Sequence, residues 1–384
     1  MTTPPNPDRS STRQGALTDL KVIECAQLIA GPFCGQLLAD HGAQVIKVEQ
    51  PGIGDPMRTW GRAGYPLSWE ILGRNKDSVF LNLREPAGQA ALKAIVADAD
   101  ILIENFRPGT MEKWGLGYDV LSALNPGLIM VRVSGYGQTG PYAKRAGYAS
   151  VGEAMGGLRA LIGDPDRKPA RAGISLGDSL AGMFAMMGAL TALHHRERTG
   201  EGQVVDASIY ESVLALMEAT IPEHAIENFV RQRTGSYLPG IAPSNIYDCA
   251  DGQVVIGANQ DTVFGRLADA MGAPELATDP RYADHVARGA NQAELDARIT
   301  DWTSAHRADE VQRVMDAHGV PCSKLYRAAD MLADPHYAAR DAVITVESDR
   351  YGLVPMQGVF PKLSKTPGSV RHAGKAMPED DLKT

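Results

Sequence analysis

Apolar and polar positions in the first half of the chain switch between two periods. Short apolar runs of strand length occur at Leu20–Cys25, Ala43–Glu49, Val79–Leu83, Ile101–Phe106, Leu128–Val133 and Gly202–Ala207. Between them, apolar residues recur at helical spacing over Phe33–His41, Pro86–Asp98, Tyr118–Leu124 and Asp178–Arg198. Proline at the start of the second stretch fits a first-turn position. The first strand, helix and strand together have the length of one βαβ unit, about 30 residues. Repetition of that unit predicts a mostly parallel sheet covered on both faces, with right-handed crossovers.

The helix from Asp178 is the most apolar of the chain. It closes with His194, His195, Arg196 and Arg198 before Gly200, a cationic last turn followed by a stop signal. Tyr210 to Arg233 reads as one long helix broken at Pro222. Beyond it the pattern changes. Pro239–Asn245 is a turn region, Val254–Ala258 a strand, and Thr262–Met271, Gln292–His306 and Ala308–His318 are amphipathic helices, so residues 237–325 read as a smaller α/β unit. Strands return at Ile344–Glu347 and Val354–Phe360, and the segment from Gly368 reads as mobile. The N-terminus lacks the apolar core of a signal peptide, and residues 1–16 are expected to be a disordered tail.

Composition narrows the function classes. The 384 residues carry 38 Lys and Arg against 46 Asp and Glu, a formal charge of −8 that excludes a non-specific nucleic-acid binder. Hydrophobic residues at 44% and charged residues at 22% are those of a globular protein. Cys25, Cys34, Cys249 and Cys322 are scattered and form no C-x-x-C pair, so neither a disulfide framework nor a zinc site is expected, and no metal. A reducing compartment, the cytoplasm, is the default. The longest weakly polar run, Leu180–Leu193, reads as a buried helix rather than a membrane span.

Four places carry candidate chemistry. The turn Leu28-Ile29-Ala30-Gly31-Pro32 follows the first strand, where backbone N–H groups at a helix start bind anions; it also reads as an ordinary βα turn, since G-x-G-x-x-G is missing. Arg74-Asn75-Lys76 and Asn105-Phe106-Arg107-Pro108-Gly109 flank strands and suit an adenine and its phosphates, or are solvated loops. The Gly- and Tyr-rich segment 135–172 is long enough to be a functional loop. Asp178 opens the apolar helix, either as a helix cap or as a carboxylate nucleophile that is ionised at neutral pH without a general base. No H-E-x-x-H, G-x-S-x-G or P-loop is present.

Five runs taken together resemble the class III CoA-transferases, the family of formyl-CoA and carnitine CoA-transferases and the related α-methylacyl-CoA racemases. They are AGPFCGQLLADHGAQVIKVEQPGIGD (30–55), RNKDSVFLNL (74–83), ENFRPG (104–109), SGYGQTGPY (134–142) and GISLGDSLAG (173–182). The resemblance implies a large Rossmann-like domain from residues 17–225 and 330–384, a small domain at 237–325, and an interlocked homodimer. It gives Asp178 as the nucleophile that receives the acyl group of an acyl-CoA. It gives Leu28, Ile29, Ala30, Lys76, Asn105, Phe106, Lys113 and Tyr148 as CoA contacts. Coenzyme A enters as substrate, with no permanently bound cofactor. Gln50 stands where some members have a basic residue, and Pro239–Pro243 where the formyl-CoA enzyme has a tetraglycine loop, which points away from formate and oxalate. The expected reaction moves CoA from an acyl-CoA, with succinyl-CoA the expected donor, to a small carboxylate or dicarboxylate. Arg171 is a candidate for a distal carboxylate. Racemisation on the same fold is the alternative, but Tyr148-Ala149 replaces the His-Asp of that branch and removes its base. A non-catalytic acyl-CoA binder is a second alternative.

Overall fold

The structure is a computed structural model that describes residues 13–62 and 64–378. Of the expected tail, residues 1–12 lie outside the described residues. The chain divides into two compact units, one formed by residues up to Arg159, Ala172–Phe229 and the chain from Pro335, the other by Ala160–Arg171 and Val230–Asp334.

The first unit begins with strand β1 (Lys21–Glu24), helix α1 (Ala30–Asp40), β2 (Gln44–Glu49), α2 (Leu67–Leu72), β3 (Lys76–Phe80), α3 (Pro86–Val96), β4 (Ile101–Glu104), α4 (Thr110–Lys113), α5 (Tyr118–Leu124) and β5 (Ile129–Ser134). There follow α6 (Ala149–Met155), α7 (Leu158–Leu161), α8 (Leu176–Thr199), β6 (Val204–Ser208), α9 (Ile209–Leu214) and α10 (Thr220–Glu227). The six strands pair in parallel in the order β3-β2-β1-β4-β5-β6. That order is the doubly wound dinucleotide-binding sheet, whose direction of growth reverses between β1 and β4.

The central strands bury both faces, which is why they read as nearly continuous apolar runs. Val22, Val45, Ile101, Ile103, Ile129 and Val131 meet α1 and α8 on one side. Ile23, Val48, Leu102 and Met130 meet Leu92, Met111 and Leu121 of α3, α4 and α5 on the other. Helix α8 is long and apolar enough to cross a membrane by length and composition alone. Here its alanine row, Ala181, Ala185, Ala189 and Ala192, is packed into the core beneath the sheet. Small residues bring it close: a Cβ on Gly182 would sit 2.7 Å from the Ala30 carbonyl oxygen.

Three expectations are corrected. The helix expected over Tyr210–Arg233 is two short helices, interrupted around Glu218 at φ +49° and ended by Asn228 at φ +53°. Pro222 does not break it; proline sits in the first turn of α10, where its missing N–H costs nothing. The long segment after Gly135 contains α6, whose glycines let it settle on α9: a Cβ on Gly152 would lie 2.5 Å from Ile209, one on Gly156 2.6 Å from Val213. Of the segment from Gly368, residues 368–378 are described and are held rather than mobile, while residues 379–384 lie outside the described residues. Asp40, paired with Arg74 at 2.6 Å, accepts Ser369 N at its backbone oxygen, while Asn75 Oδ1 accepts Arg371 N at 2.7 Å.

The second unit has β7 (Ser244–Cys249), β8 (Gly252–Gly257), α11 (Asp261–Ala270), α12 (His285–Ala290), α13 (Gln292–Ser304), α14 (Ala308–Ala317), β9 (Cys322–Lys324) and α15 (Ala328–Ala333). Its antiparallel β7-β8-β9 sheet closes a core with Tyr247, Val254, Ile256, Phe264, Leu295, Ile299 and Val311. Strand β7 hides in the sequence because SNIYDC lacks a regular alternation of apolar and polar residues. In the first unit again, α16 (Pro335–Ala339) leads to the hairpin of β10 (Val343–Ser348) and β11 (Gly352–Gln357).

Close packing beneath α1 yields a stability prediction. A Cβ on Gly35 would lie 1.9 Å from Glu24 Oε2, which is fully buried between two lysines. Gly35→Ala must dislodge that carboxylate, and urea unfolding is expected to show a loss of about 3 to 5 kcal/mol. An unchanged midpoint would show that the carboxylate has slack.

Candidate functional site

Open α/β sheets bind ligands where the strand order reverses, outside the carboxyl ends of the strands. Here that point is the gap between the turn after β1 and the turn after β4. Asn105 spans it: its Oδ1 accepts Gln27 N at 2.8 Å and its Nδ2 donates to Gln27 O at 2.7 Å. Leu28, next along, is left-handed at φ +65°, a conformation a branched side chain adopts only when its surroundings impose it. Its N–H donates to Asp55 Oδ1 at 3.2 Å. Ile29 then caps α1 without a side-chain acceptor, so the peptide edge of Leu28, Ile29 and Ala30 opens the helix.

Beneath this turn lies a buried charge cluster. Lys47 Nζ lies 2.8 Å from both Glu24 Oε1 and Asp55 Oδ2, and donates to Ala26 O. Lys76 Nζ sits 2.7 Å from Glu24 Oε2 and from Pro32 O. Burial works against both ammonium groups. For Lys47 the three carboxylates Glu24, Asp55 and Glu49 outweigh it and raise the pKa; for Lys76 it prevails, and with Lys47 nearby the pKa falls. Beside them Arg58 grips Glu49 at 2.6 and 2.7 Å. Lys76 therefore does not stand with the other candidate CoA residues at the open edge; its ammonium is spent inside, under the first turn of α1.

The β4 side is set in the same way. Arg132 Nε donates to Glu104 Oε1 at 2.7 Å and its Nη1 to Glu112 Oε1 on α4, while Glu104 Oε2 accepts Phe106 N. Phe106 stacks edge-on against Trp114, ring centroids 5.1 Å apart. Lys113, the last residue of α4, is exposed beside them. Phe106 and Trp114 line a crevice with Gln50, Asn82 and Arg84. Arg84 is exposed and donates to Gln50 Oε1 at 2.9 Å across it. Arg84 carries no signal in the sequence, since it belongs to no strand-end cluster; only the pairing of β2 with β3 brings it to Gln50.

Asp178 is the third residue of α8, not its cap, which is Ser175. It is half-buried. Gly182, one turn further along α8, packs against the start of α1: a Cβ there would lie 2.7 Å from the Ala30 carbonyl oxygen. Tyr148 caps α6 and is 70% exposed. Helix α6 is tied to Asp178 through Glu153, whose Oε1 accepts Gly177 N at 3.1 Å. His194 and His195 lie sixteen or more residues along α8, roughly 24 Å from Asp178, too far to share its chemistry. Arg171 is exposed and belongs to the second unit. That unit has a larger hollow of about 570 Å³ beside Asp309, Lys324 and Tyr326, where Lys324 is already paired with Asp309. No cluster of metal-ligating side chains occurs among the described residues.

The strand order defines a doubly wound, dinucleotide-type α/β protein, and comparison with known proteins supplies the family. The profile of CoA-transferase family III matches residues 17–379. A succinyl-CoA–D-citramalate CoA-transferase of Chloroflexus aurantiacus is 59% identical over 94% of this chain and 91% of its own length. The β subunit of succinyl-CoA–L-malate CoA-transferase from the same organism is 43% identical over 94% and 91%. The crystal structure of a CAIB/BAIF family protein from Brucella suis superposes with a TM-score of 0.85 at 34% identity, covering 97% of this chain and 98% of that one. The chain belongs to CoA-transferase family III and is a CoA-transferase.

Glu104 gives this site a pH signature. Burial pushes its carboxyl up from 4.5 to about 7, against the pull of Arg132 and the Phe106 N–H. The folded chain then holds that proton more tightly than the unfolded one. The stabilisation from this group is complete below about 4.5 and is lost as pH rises through about 7. Relative to Glu104→Gln, the unsubstituted chain is expected to lose up to about 3 kcal/mol between pH 4.5 and 8 in urea unfolding. A pH-independent difference would return Glu104 to the ordinary carboxylate range.

Proposed function

We propose that this enzyme transfers CoA from succinyl-CoA to a short dicarboxylate through a covalent intermediate on Asp178. The observation that supports the proposal is the approach of α8 to α1, where Gly182, one turn from the half-buried Asp178, meets the Ala30 carbonyl at the turn after β1. The first unit is the CoA-binding domain in this reading. Leu28, Ile29 and Ala30 offer backbone to the nucleotide and pantetheine, Asn105 and Phe106 shape the crevice, and Lys113 and Arg84 meet the phosphates as exposed cations. Lys76 serves from below, fixing α1 through Pro32 O. Tyr148 stands beside the thioester.

The chemistry then runs in balanced exchanges. Asp178 carboxylate attacks the thioester carbonyl; the carbon–sulfur bond breaks and CoA leaves as thiolate, giving a mixed anhydride. The thiolate attacks the aspartyl carbonyl and releases the donor as succinate, leaving an aspartyl-CoA thioester. The acceptor carboxylate attacks that thioester and frees CoA thiolate again. Thiolate attack on the acceptor carbonyl gives the new acyl-CoA and restores Asp178. An ionised carboxylate needs no base for this, and peptide N–H groups of the glycine-rich segments stabilise each tetrahedral oxyanion. The similarity to citramalate and malate transferases supports the dicarboxylate. The racemase alternative lacks an imidazole at Tyr148-Ala149.

Asp178→Ala is expected to abolish transfer while acyl-CoA binding by calorimetry stays within about threefold. Hydroxylamine added with succinyl-CoA is expected to leave a hydroxamate on Asp178 that mass spectrometry locates. Full activity in the alanine variant would overturn the mechanism, and deuterium uptake at the substrate α-carbon without CoA transfer would favour racemisation.

The homodimer belongs to the same reading. Met183 and Met187 of α8 and Ile221 and Ile226 of α10 are more than half exposed in the single chain, an apolar surface that a second, interlocked copy covers. Sedimentation velocity is expected to give a dimer, and Met183→Asp with Met187→Asp to weaken it at least tenfold. A monomer at all concentrations would remove this part.

A further inference from the structure

Glu153 is a carboxylate at the heart of the first unit with no part in the steps above. Its side chain is 1% exposed. Burying such a group is costly unless both oxygens are engaged. Oε1 accepts Gly177 N at 3.1 Å, one residue before Asp178. Oε2 accepts Arg159 Nε at 2.8 Å. One carboxylate thus joins the peptide that carries the nucleophile to a guanidinium, and places Arg159 Nε within roughly 8 Å of Gly177 N, two hydrogen bonds and the width of a carboxylate.

The use of Nε alone matters. A guanidinium bound through Nε keeps its two Nη groups, and those of Arg159 have no protein partner among the described residues. The side chain remains 22% exposed, so this planar fork is anchored at its root and reachable at its tip. A pre-oriented fork of that kind recognises a carboxylate through two parallel hydrogen bonds, and loses less freedom in doing so than a mobile surface arginine. Arg171, fully exposed, has no comparable anchor. The anchor is itself rigid. A side chain at Gly177 would crowd the anchor, since a Cβ there would lie 3.0 Å from Glu153 Cγ and 3.1 Å from Ile209, and α6 is seated on α9 through Gly152 and Gly156.

We propose that Arg159 binds the distal carboxylate of the dicarboxylyl substrate, and that Glu153 is the positioning residue that holds it at a fixed distance from Asp178. The inference rests on the transfer reaction proposed above and adds to it the group that distinguishes dicarboxylates from monocarboxylates. A substrate carrying a second carboxylate is held at both ends, its thioester at Asp178 and its free carboxylate on Nη1 and Nη2. An acyl chain ending in methyl finds nothing to bind and leaves the guanidinium to water.

The test compares succinyl-CoA with butyryl-CoA, which has the same chain length and a methyl in place of the distal carboxylate. Each is given to the full-length enzyme with hydroxylamine, and stoichiometric CoA release gives the second-order rate constant of the single turnover that ends in the Asp178 hydroxamate, written here as kcat/KM with the half-saturating donor concentration as KM. The unsubstituted enzyme is expected to prefer succinyl-CoA. Arg159→Gln is expected to lower kcat/KM for succinyl-CoA by about 30-fold or more, mainly through KM, with butyryl-CoA within about threefold. Arg159→Lys keeps a charge for Glu153 but not the fork, and is expected to lose about tenfold for succinyl-CoA only. Glu153→Gln still offers an oxygen to Gly177 N but frees the guanidinium, so the preference is expected to fall there too, with Arg159 intact. The butyryl-CoA rate reports folding and an intact Asp178 in every variant. Equal losses for both donors in Arg159→Lys, or an undiminished preference in Arg159→Gln, would overturn the assignment while leaving transfer through Asp178 in place. Absence of any hydroxamate at Asp178 in the unsubstituted enzyme would instead remove the reaction on which it rests.

Discussion

A neutral cluster of four buried charges, Glu24, Lys47, Asp55 and Lys76, governs the ligand edge of this protein. Charges at the carboxyl ends of strands are expensive to bury, and each of these is offset by a partner at 2.7 or 2.8 Å. The cluster does geometrical work that apolar residues of the same volume cannot. Asp55 reaches Leu28 N, Lys47 reaches Ala26 O, and Lys76 reaches Pro32 O. Three peptide groups of one turn are thereby fixed from below, and the left-handed conformation of Leu28 is held in place. Removing a single member strands an opposite charge in the core, so the turn and the sheet edge stand or fall together.

The same device recurs across the sheet. Glu104, Arg132 and Glu112 fix the turn after β4, as Glu24 and its partners fix the turn after β1. Asn105 then bolts the two turns together. A dinucleotide-type fold without the G-x-G-x-x-G fingerprint needs another way to make its turn tight and its backbone presentable. Here ion pairs under the turn take over the part that glycines play elsewhere, and glycines serve instead for helix packing, at Gly31, Gly35, Gly152, Gly156 and Gly182. Helix α8 comes close enough to α1 to matter only because Gly182 has no side chain.

This arrangement connects packing to chemistry. Asp178 is placed by a helix whose start is held twice, by Gly182 against Ala30 and by Gly177 against Glu153. A carboxylate nucleophile has no proton to lose and few orbital demands, so its reactivity depends chiefly on where it is held and how far it is dried. In the transfer reaction proposed above, the half-buried place of Asp178 in the first turn of a long helix meets both conditions.

The order of strands and helices was legible in the sequence, because buried parallel strands must be continuously apolar and their covering helices amphipathic. The turn after β1, the Asn105-Phe106 loop after β4 and the start of α8 were legible too, as strand ends and a helix start. Other features were settled only by the folded chain. Lys76 looks like a surface cation in a string of polar residues, yet pairing of β3 with β2 turns its ammonium inward to Glu24. Arg84 and Gln50 meet across a strand pair, and Glu153 joins Gly177 to Arg159 across three helices; none of these pairs shares a local pattern. Residues 368–378 are apolar-poor and read as loose, but Asp40 and Asn75 bind the backbone at Ser369 and Arg371. Periodicity records which side of an element faces the core, and that is fixed locally. Which buried charge finds which partner depends on distances between elements far apart in the chain, and only tertiary packing sets those.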